Sequence, residues 1–406
     1  MSSPTDKPVR RRRVFYIPGY DPIHPRRYRE LYRKEAAEQR RVSGYQVELK
    51  AKLTNSSENS RYGWTVTGSI DGRETVADFE VLVWSDIVRD SMDTGIIGTY
   101  AALAKTAWVY ITSGALFRLM RLRKGPVIAA LYPVGFLLFQ LALALLLAWW
   151  VGQLMSLIHP WLSWSGLILV PFMLEWFRRK DNKFFAYYLM HDYAYSARHR
   201  GSEPPELEAR MADFTDAIAK AMAEDIDEVL VVGHSSGAHI AVSVLSDVIR
   251  DRHVREGGPQ LSFLSLGQVV PMVSFLPDAH RLRRDLQYLS ARDEVTWVDV
   301  TAPGDGCAFA LCDPVQVSGV APAGQRWPLI LSAAFTQTLS PARWKELRWR
   351  FFRLHFQYLC AFDRPGDYDY FRITAGPNTL SAHFADRAHS PSRIVTPVNR
   401  FTECAP

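Results

Sequence analysis

Charge is missing where the chain is most apolar. Between Lys124 and Glu175 there is no Asp, Glu, Lys or Arg. One membrane span takes about 20 residues, so this block of about 50 has room for two. Cysteine is scarce as well: Cys307, Cys312, Cys360 and Cys404 make no C-x-x-C pair and follow no secretory leader. They read as reduced thiols in a cytoplasmic compartment. No apolar h-region stands behind the amino-terminal arginines, so no signal peptide is expected there. No basic face is interleaved with aromatics, which argues against nucleic acid as a partner. The net charge of +6 comes instead from Arg10–Arg13 and from clusters that flank the apolar block. His191-Asp192 is a ligand-type pair, but no second His/Asp set stands at helical spacing. No metal or other cofactor is expected.

The organising stretch is Glu228-Val-Leu-Val-Val-Gly-His-Ser-Ser-Gly-Ala238. Val229–Val232 is β-branched and wholly apolar, the pattern of a strand buried on both faces. From Ser236 to about Arg250, Ile240, Val244, Leu245 and Val248 recur at helical spacing. Between strand and helix lies Gly233-His234-Ser235-Ser236-Gly237, a G-x-S-x-G turn in strand–turn–helix context. Such a turn holds its central serine clear of both flanking elements. The N–H groups that open the helix then aim at the place where an oxyanion would form.

With motif and context in agreement, the chain resembles the α/β-hydrolase family over residues 13–90 and 200–375. The resemblance implies an α/β fold with a mostly parallel sheet flanked by helices, and a nucleophile at Ser235. Val14–Ile17 reads as a strand running into Pro18-Gly19-Tyr20, with a charged helix over Pro25–Arg41. The resemblance places the two oxyanion donors on the backbone N–H groups of Tyr20 and Ser236. It also orders the triad as nucleophile, acid, histidine. Asp305, in the loop Thr301-Ala-Pro-Gly-Asp-Gly306 after the strand Val295–Val300, is then the acid. Asp299, inside that strand, and Asp313 are its alternatives. The base is His355, whose His-x-x-Tyr setting looks like that of some lipase-like hydrolases. A strand-like Tyr368–Thr374 follows it, where the family's histidine usually comes after the last strand, so His383 stays open as the alternative. His389 falls near the tail. His234 and His239 precede the acid and read as pocket or packing residues.

Organisation follows composition. Residues 1–12 read as a disordered basic amino terminus and 13–93 as the first part of the hydrolase domain. Within it, Tyr45–Leu53 and Trp64–Ile70 are two strands around the loop Asn55–Asn59, inserted before a strand over Asp78–Asp86. Residues 94–185 form a membrane-associated insertion, a two-helix transmembrane hairpin with spans at about 127–152 and 160–177. Arg118, Arg121, Arg123 and Lys124 precede it, and Arg178, Arg179, Lys180 and Lys183 follow it, so both ends face the cytoplasm. Residues 186–375 complete the catalytic domain. Asp192–Glu203 is expected as a polar loop, Pro204–Ala223 and Ala279–Leu289 as helices, and Leu261–Val270 as a strand. Residues 376–406 are expected to be a poorly ordered tail.

The sequence thus leads to a serine hydrolase anchored in a bacterial inner membrane, cleaving esters or thioesters of lipid-like compounds on the cytoplasmic side. Its partners would be the bilayer and a small acyl-ester substrate; nothing in the sequence specifies an oligomeric state. The competing reading is a hydrolase-fold scaffold without catalysis. A transporter fits poorly, because two spans without charge offer no polar pathway.

Overall fold

Alternation along the first strand sets the layers. In β1 (Arg11–Ile17), Val14 and Tyr16 pack on one face of the sheet, and Phe15 and Ile17 pack on the other. A strand buried on both sides must be central. The structure, a computed structural model, describes residues 7–51 and 61–405; the expected loop Asn55–Asn59 lies outside them, as do residues 1–6. The other strands are β2 (Gln46–Ala51), β3 (Gly63–Ile70), β4 (Arg73–Val81), β5 (Glu228–His234), β6 (Gln260–Leu266), β7 (Val295–Thr301) and β8 (Leu329–Ser332). They form one mixed sheet in the order β2-β3-β4-β1-β5-β6-β7-β8. The β2/β3 and β3/β4 pairings are antiparallel, and the remaining five are parallel. The fold is α/β.

Several local expectations are corrected. The strand expected over Asp78–Asp86 begins at Arg73 and stops at Val81. Asp71 and Gly72, with φ of 54° and 72°, make the tight turn that pairs β3 with β4, which is the Asp-Gly signature of a two-residue hairpin. Ser85 and Asp86 instead open a helix, α2 (Ser85–Met92), which follows α1 (Arg26–Ser43). The strand expected over Leu261–Val270 ends at Leu266, because Gly267 turns away at φ 54°. β8 was not foreseen. Tyr368–Thr374 is no strand: Tyr370–Ala375 is a helix whose N-cap, Asp369, accepts from the Phe371 and Arg372 N–H groups at 3.0 and 3.1 Å. The last strand therefore precedes His355.

Both chain ends depart from expectation for one reason. Arg12 and Glu228 face each other across the β1/β5 register, fully buried, and form an ion pair. The Arg12 guanidinium also donates to the carbonyls of Gly376 and Asn378, while Glu228 accepts from Ser262 Oγ at 2.6 Å and from the Leu380 N–H at 2.7 Å. Residues 7–12 are therefore not a disordered arm, and 376–405 is not a loose tail. That last segment also docks backbone to backbone: the Ile394 N–H donates to Leu311 O, and the Asp313 N–H to Ile394 O.

The insertion forms α3 (Gly95–Thr112), α4 (Ala115–Leu122), α5 (Lys124–Ser156), a 3₁₀ stretch (Pro160–Ile168), α6 (Leu169–Arg179) and α7 (Asp181–Phe184). Among the described residues one helix, α5, is long and apolar enough to cross a membrane. The second expected span, 160–177, is not a single α-helix. Pro171 lacks an N–H and is tolerated in the first turn of α6. Ahead of it, the 3₁₀ stretch presses on α5: a Cβ at Gly166 would sit 2.0 Å from the Ala148 carbonyl oxygen. Small residues at this contact let the backbones touch. Past the insertion, α8 (Ala186–Arg198) replaces the expected polar loop, with Ala186, Met190, Ala194 and Ala197 buried at helical spacing. The chain continues with α9 (Pro205–Met222), α10 (Gly237–Arg250), α11 (Val270–Ser274) and α12 (His280–Leu289).

Replacing Arg12 by Ala would leave Glu228 charged, buried and short of its cation. The expected cost is about 3–5 kcal/mol, read as a lowered midpoint in denaturant unfolding; a change below 1 kcal/mol would contradict this account.

Candidate active site

The serine turn is held in place by crowding. Ser235 sits between β5 and α10 with φ of 56°, a left-handed conformation that costs a non-glycine residue about 1–2 kcal/mol. Its own N–H donates to Leu266 O on β6 at 2.9 Å, so the strained residue is anchored to the neighbouring strand. A Cβ on Gly237 would lie 2.1 Å from the Ile17 carbonyl oxygen, and one on Gly19 would lie 2.9 Å from Ser235 Cβ. Two turns therefore meet backbone to backbone, the one after β1 and the one after β5. The first is braced by Trp84 Nε1, which donates to Pro18 O at 2.9 Å, and by Asp21, which accepts from Tyr28 Oη at 2.8 Å.

Tyr20 and Ser236 are both buried, at 4% and 8% exposure. Among the described residues neither backbone N–H has an acceptor. Buried unpaired N–H groups are uncommon, and the two residues that carry these line one cavity with Ser235. The Tyr20 carbonyl is held by a hydrogen bond from Tyr188 Oη.

Asp305 and His355 are joined. His355 Nδ1 lies 2.7 Å from Asp305 Oδ2, which also accepts from Tyr358 Oη at 3.0 Å. Asp305 Oδ1 accepts from the Cys307 N–H at 2.9 Å. Burial pushes the Asp305 carboxyl up, but His355 and these hydrogen bonds outweigh it and hold it below its ordinary value. An ionised carboxylate only accepts, so Nδ1 carries the proton and Nε2 presents its lone pair. Among the described residues Nε2 is buried without a partner. Tyr358 does a second job, accepting from the Ala302 N–H at 3.0 Å, which fixes the acid's loop.

The alternatives are occupied elsewhere. Asp299 takes a 2.6 Å hydrogen bond from Ser265 Oγ inside the sheet, and burial pushes its carboxyl up to about 8. Asp313 caps the helix Pro314–Val317 and is pushed up to about 6, again by burial. His383 Nε2 pairs with Asp367 O at 3.1 Å, and His389 Nδ1 accepts from the Ile330 N–H at 3.1 Å. His234 pairs with the His355 carbonyl at 3.0 Å. Burial lowers His234 to about 3 and His239 to about 4, so both are neutral packing groups.

A cavity of about 80 Å³ joins Ser235, Ser236, Tyr20 and His355, and the expectations did not include two further wall residues, Asp192 and Cys307. Reading 192–203 as a loop hid Asp192; the Ala186/Met190/Ala194/Ala197 spacing was the signal that placed it on a helix. Asp305, Cys307 and His355 bring ligand-type atoms within 4.8 Å of one another. Burial pushes the Cys307 thiol well up, which opposes the thiolate a metal would take, and the other two already bind each other.

Gly267, at φ 54°, leaves just enough room for the base: a Cβ there would lie 2.7 Å from the Tyr358 ring and 3.0 Å from His355 Cε1. Gly267→Ala is expected to displace His355 and slow reaction of Ser235 with a fluorophosphonate on the order of 100-fold; an unchanged rate would show that the ring's position does not matter. Scans against protein-family models, curated proteins and solved structures returned no match for this chain, so the geometry alone carries the functional argument.

Proposed function

We propose that this chain is a membrane-anchored serine hydrolase of the α/β-hydrolase type that cleaves carboxylic esters or thioesters. The observation that carries the reading is His355, with Nδ1 tied to Asp305 and Nε2 unpartnered in the ring that shares a cavity with Ser235. The Ser235 hydroxyl proton passes to His355 Nε2 as Oγ attacks the carbonyl carbon. The carbonyl oxygen becomes an oxyanion, which the Tyr20 and Ser236 N–H groups stabilise. The tetrahedral species collapses, the bond to the leaving group breaks, and the His355 proton goes to the departing alcohol or thiol. Water then repeats the sequence on the acyl-enzyme: His355 takes its proton, the acid leaves, and Ser235 regains its hydroxyl.

The insertion supports a lipid-like substrate. Pro126 of α5 and Tyr110 of α3 line the same cavity as Ser235, so the elements that would meet a bilayer also wall the site. Beyond that junction α5 is bare: Leu138, Leu145, Trp149 and Trp150 are each 46–62% exposed, a contiguous apolar surface that water does not favour. The tryptophans cluster at the far end with Trp161 and Trp164, as an interfacial belt would. On this reading α5 and the 160–179 segment enter and return as a hairpin. The Arg- and Lys-rich flanks hold the catalytic body on the cytoplasmic side of a bacterial inner membrane.

Two outcomes are expected. The solubilised protein is labelled by a fluorophosphonate, Ser235→Ala removes the labelling, and Asp305→Asn or His355→Ala slows ester turnover roughly 10⁴-fold. A folded wild type that does not label would instead indicate a scaffold. Second, the double substitution Leu138→Arg/Leu145→Arg costs about 2.5–3.5 kcal/mol per arginine in the bilayer, and should move the chain out of the carbonate-resistant membrane fraction; retention there would refute the anchor.

A further inference from the structure

One carboxyl in the active-site cavity has no place in the acyl-transfer chemistry. Asp192 projects from α8, half-buried, and lines the same cavity as Ser235 and His355. Among the described residues its side chain makes no hydrogen bond and no ion pair, and no Lys or Arg lines the cavity, although the chain as a whole carries +6. Three of the four tyrosines that line the cavity engage their hydroxyls with other partners. Tyr188 Oη donates to Tyr20 O, Tyr20 Oη pairs with Ser91 Oγ, and Tyr110 Oη donates to Met272 O at 2.9 Å. Their hydroxyls are thus committed to partners other than Asp192. Tyr193, Phe352 and Phe356 extend that aromatic wall.

A carboxyl without a donor, set among aromatic rings, has a specific complement. Ring faces carry negative potential and attract cations, while an ionised carboxylate with no partner is costly in a partly buried site. A cation of low polarity satisfies both at once. An anion would oppose ionisation of this carboxyl, and a neutral chain would give its ionised form no partner. We propose, on the basis of the serine-hydrolase reading, that Asp192 and its aromatic walls form a subsite for an ammonium group carried by the ester substrate, on either its acyl part or its leaving group. Burial pushes the Asp192 carboxyl up to about 7, with His355 acting against it. An unoccupied subsite thus keeps much of this group protonated near neutrality, and a bound ammonium favours the ionised form.

Substrate selection then has a physical cause: the cation is held beside the nucleophile, and its binding places the ester carbonyl. This makes Asp192 a specificity-determining residue. It transfers no proton in the steps above.

The test uses the intact, detergent-solubilised protein and the rate at which a neutral alkyl fluorophosphonate labels Ser235. Saturating tetramethylammonium or ethylammonium chloride, compared with sodium chloride at equal ionic strength, is expected to slow labelling about tenfold. tert-Butanol, similar in shape but uncharged, is expected not to slow it. In Asp192→Asn the slowing by the ammonium ions should disappear. If neither ammonium ion protects the wild type, or if Asp192→Asn is protected as well as wild type, the subsite is refuted while the hydrolase reading stands. If Ser235 does not label at all, the hydrolase reading fails and the subsite falls with it. The wild-type comparison decides the matter even if the variant does not fold.

Discussion

The contact between two backbone turns governs this molecule. The turn after β1 and the turn after β5 approach until Gly237 touches the Ile17 carbonyl and Gly19 touches Ser235, and no side chain fits between them. This contact keeps Ser235 in a left-handed conformation that a freer turn would relax. It also brings Tyr20 and Ser236 to one cavity with Ser235, their N–H groups without an acceptor among the described residues. The strain is tolerated because β1 and β5 are paired in register along their length and buried on both faces. A cooperative sheet can hold a residue that a loop could not.

The Asp305–His355 pair depends on that sheet indirectly. The Asp305 loop leaves β7, and Tyr358 ties it down by bonding both Asp305 and the Ala302 N–H. His355 lies on the short helix Phe351–His355, and the glycine after β6 makes room for its ring. Strand ends at one edge of the sheet thus supply Ser235, Asp305 and clearance for the His355 ring. The apolar insertion meets this same edge, so its helices wall the cavity that Ser235 and His355 share. The buried Arg12–Glu228 pair stands at the opposite end of β1 and β5 and holds the chain's last thirty or so residues against the sheet.

Local pattern and tertiary context diverged in identifiable places. Tyr368–Thr374 alternates like a strand, but Asp369 caps it and the residues bury as a helical turn. The run of aromatics around His191-Asp192 reads as polar and irregular if its charges are weighed, and as a helix if its alanines are. The arginines of the amino end suggested a solvated arm; one of them faces a glutamate 216 positions away. The 160–177 stretch is apolar enough for a span, yet its prolines and its close contact with Ala148 give a 3₁₀ segment and a short helix.

What the amino-acid sequence by itself determined is what short-range chemistry controls. It set the strand–turn–helix at Ser235, because glycine spacing and β-branched runs act within a few residues. It also placed the charge-free block with its basic flanks, because hydropathy is additive along the chain. The candidate residues Ser235, Tyr20, Ser236, Asp305 and His355 were legible from motif, position and chain order. Only the tertiary structure decided which of them meet. The choice of His355 over His383 and of Asp305 over Asp299 or Asp313 depends on hydrogen bonds between residues some fifty positions apart. The arrival of Asp192 beside the serine depends on how the helix that follows the insertion packs. No local pattern encodes such distances, since they follow from the register of the sheet and the packing of what lies on it.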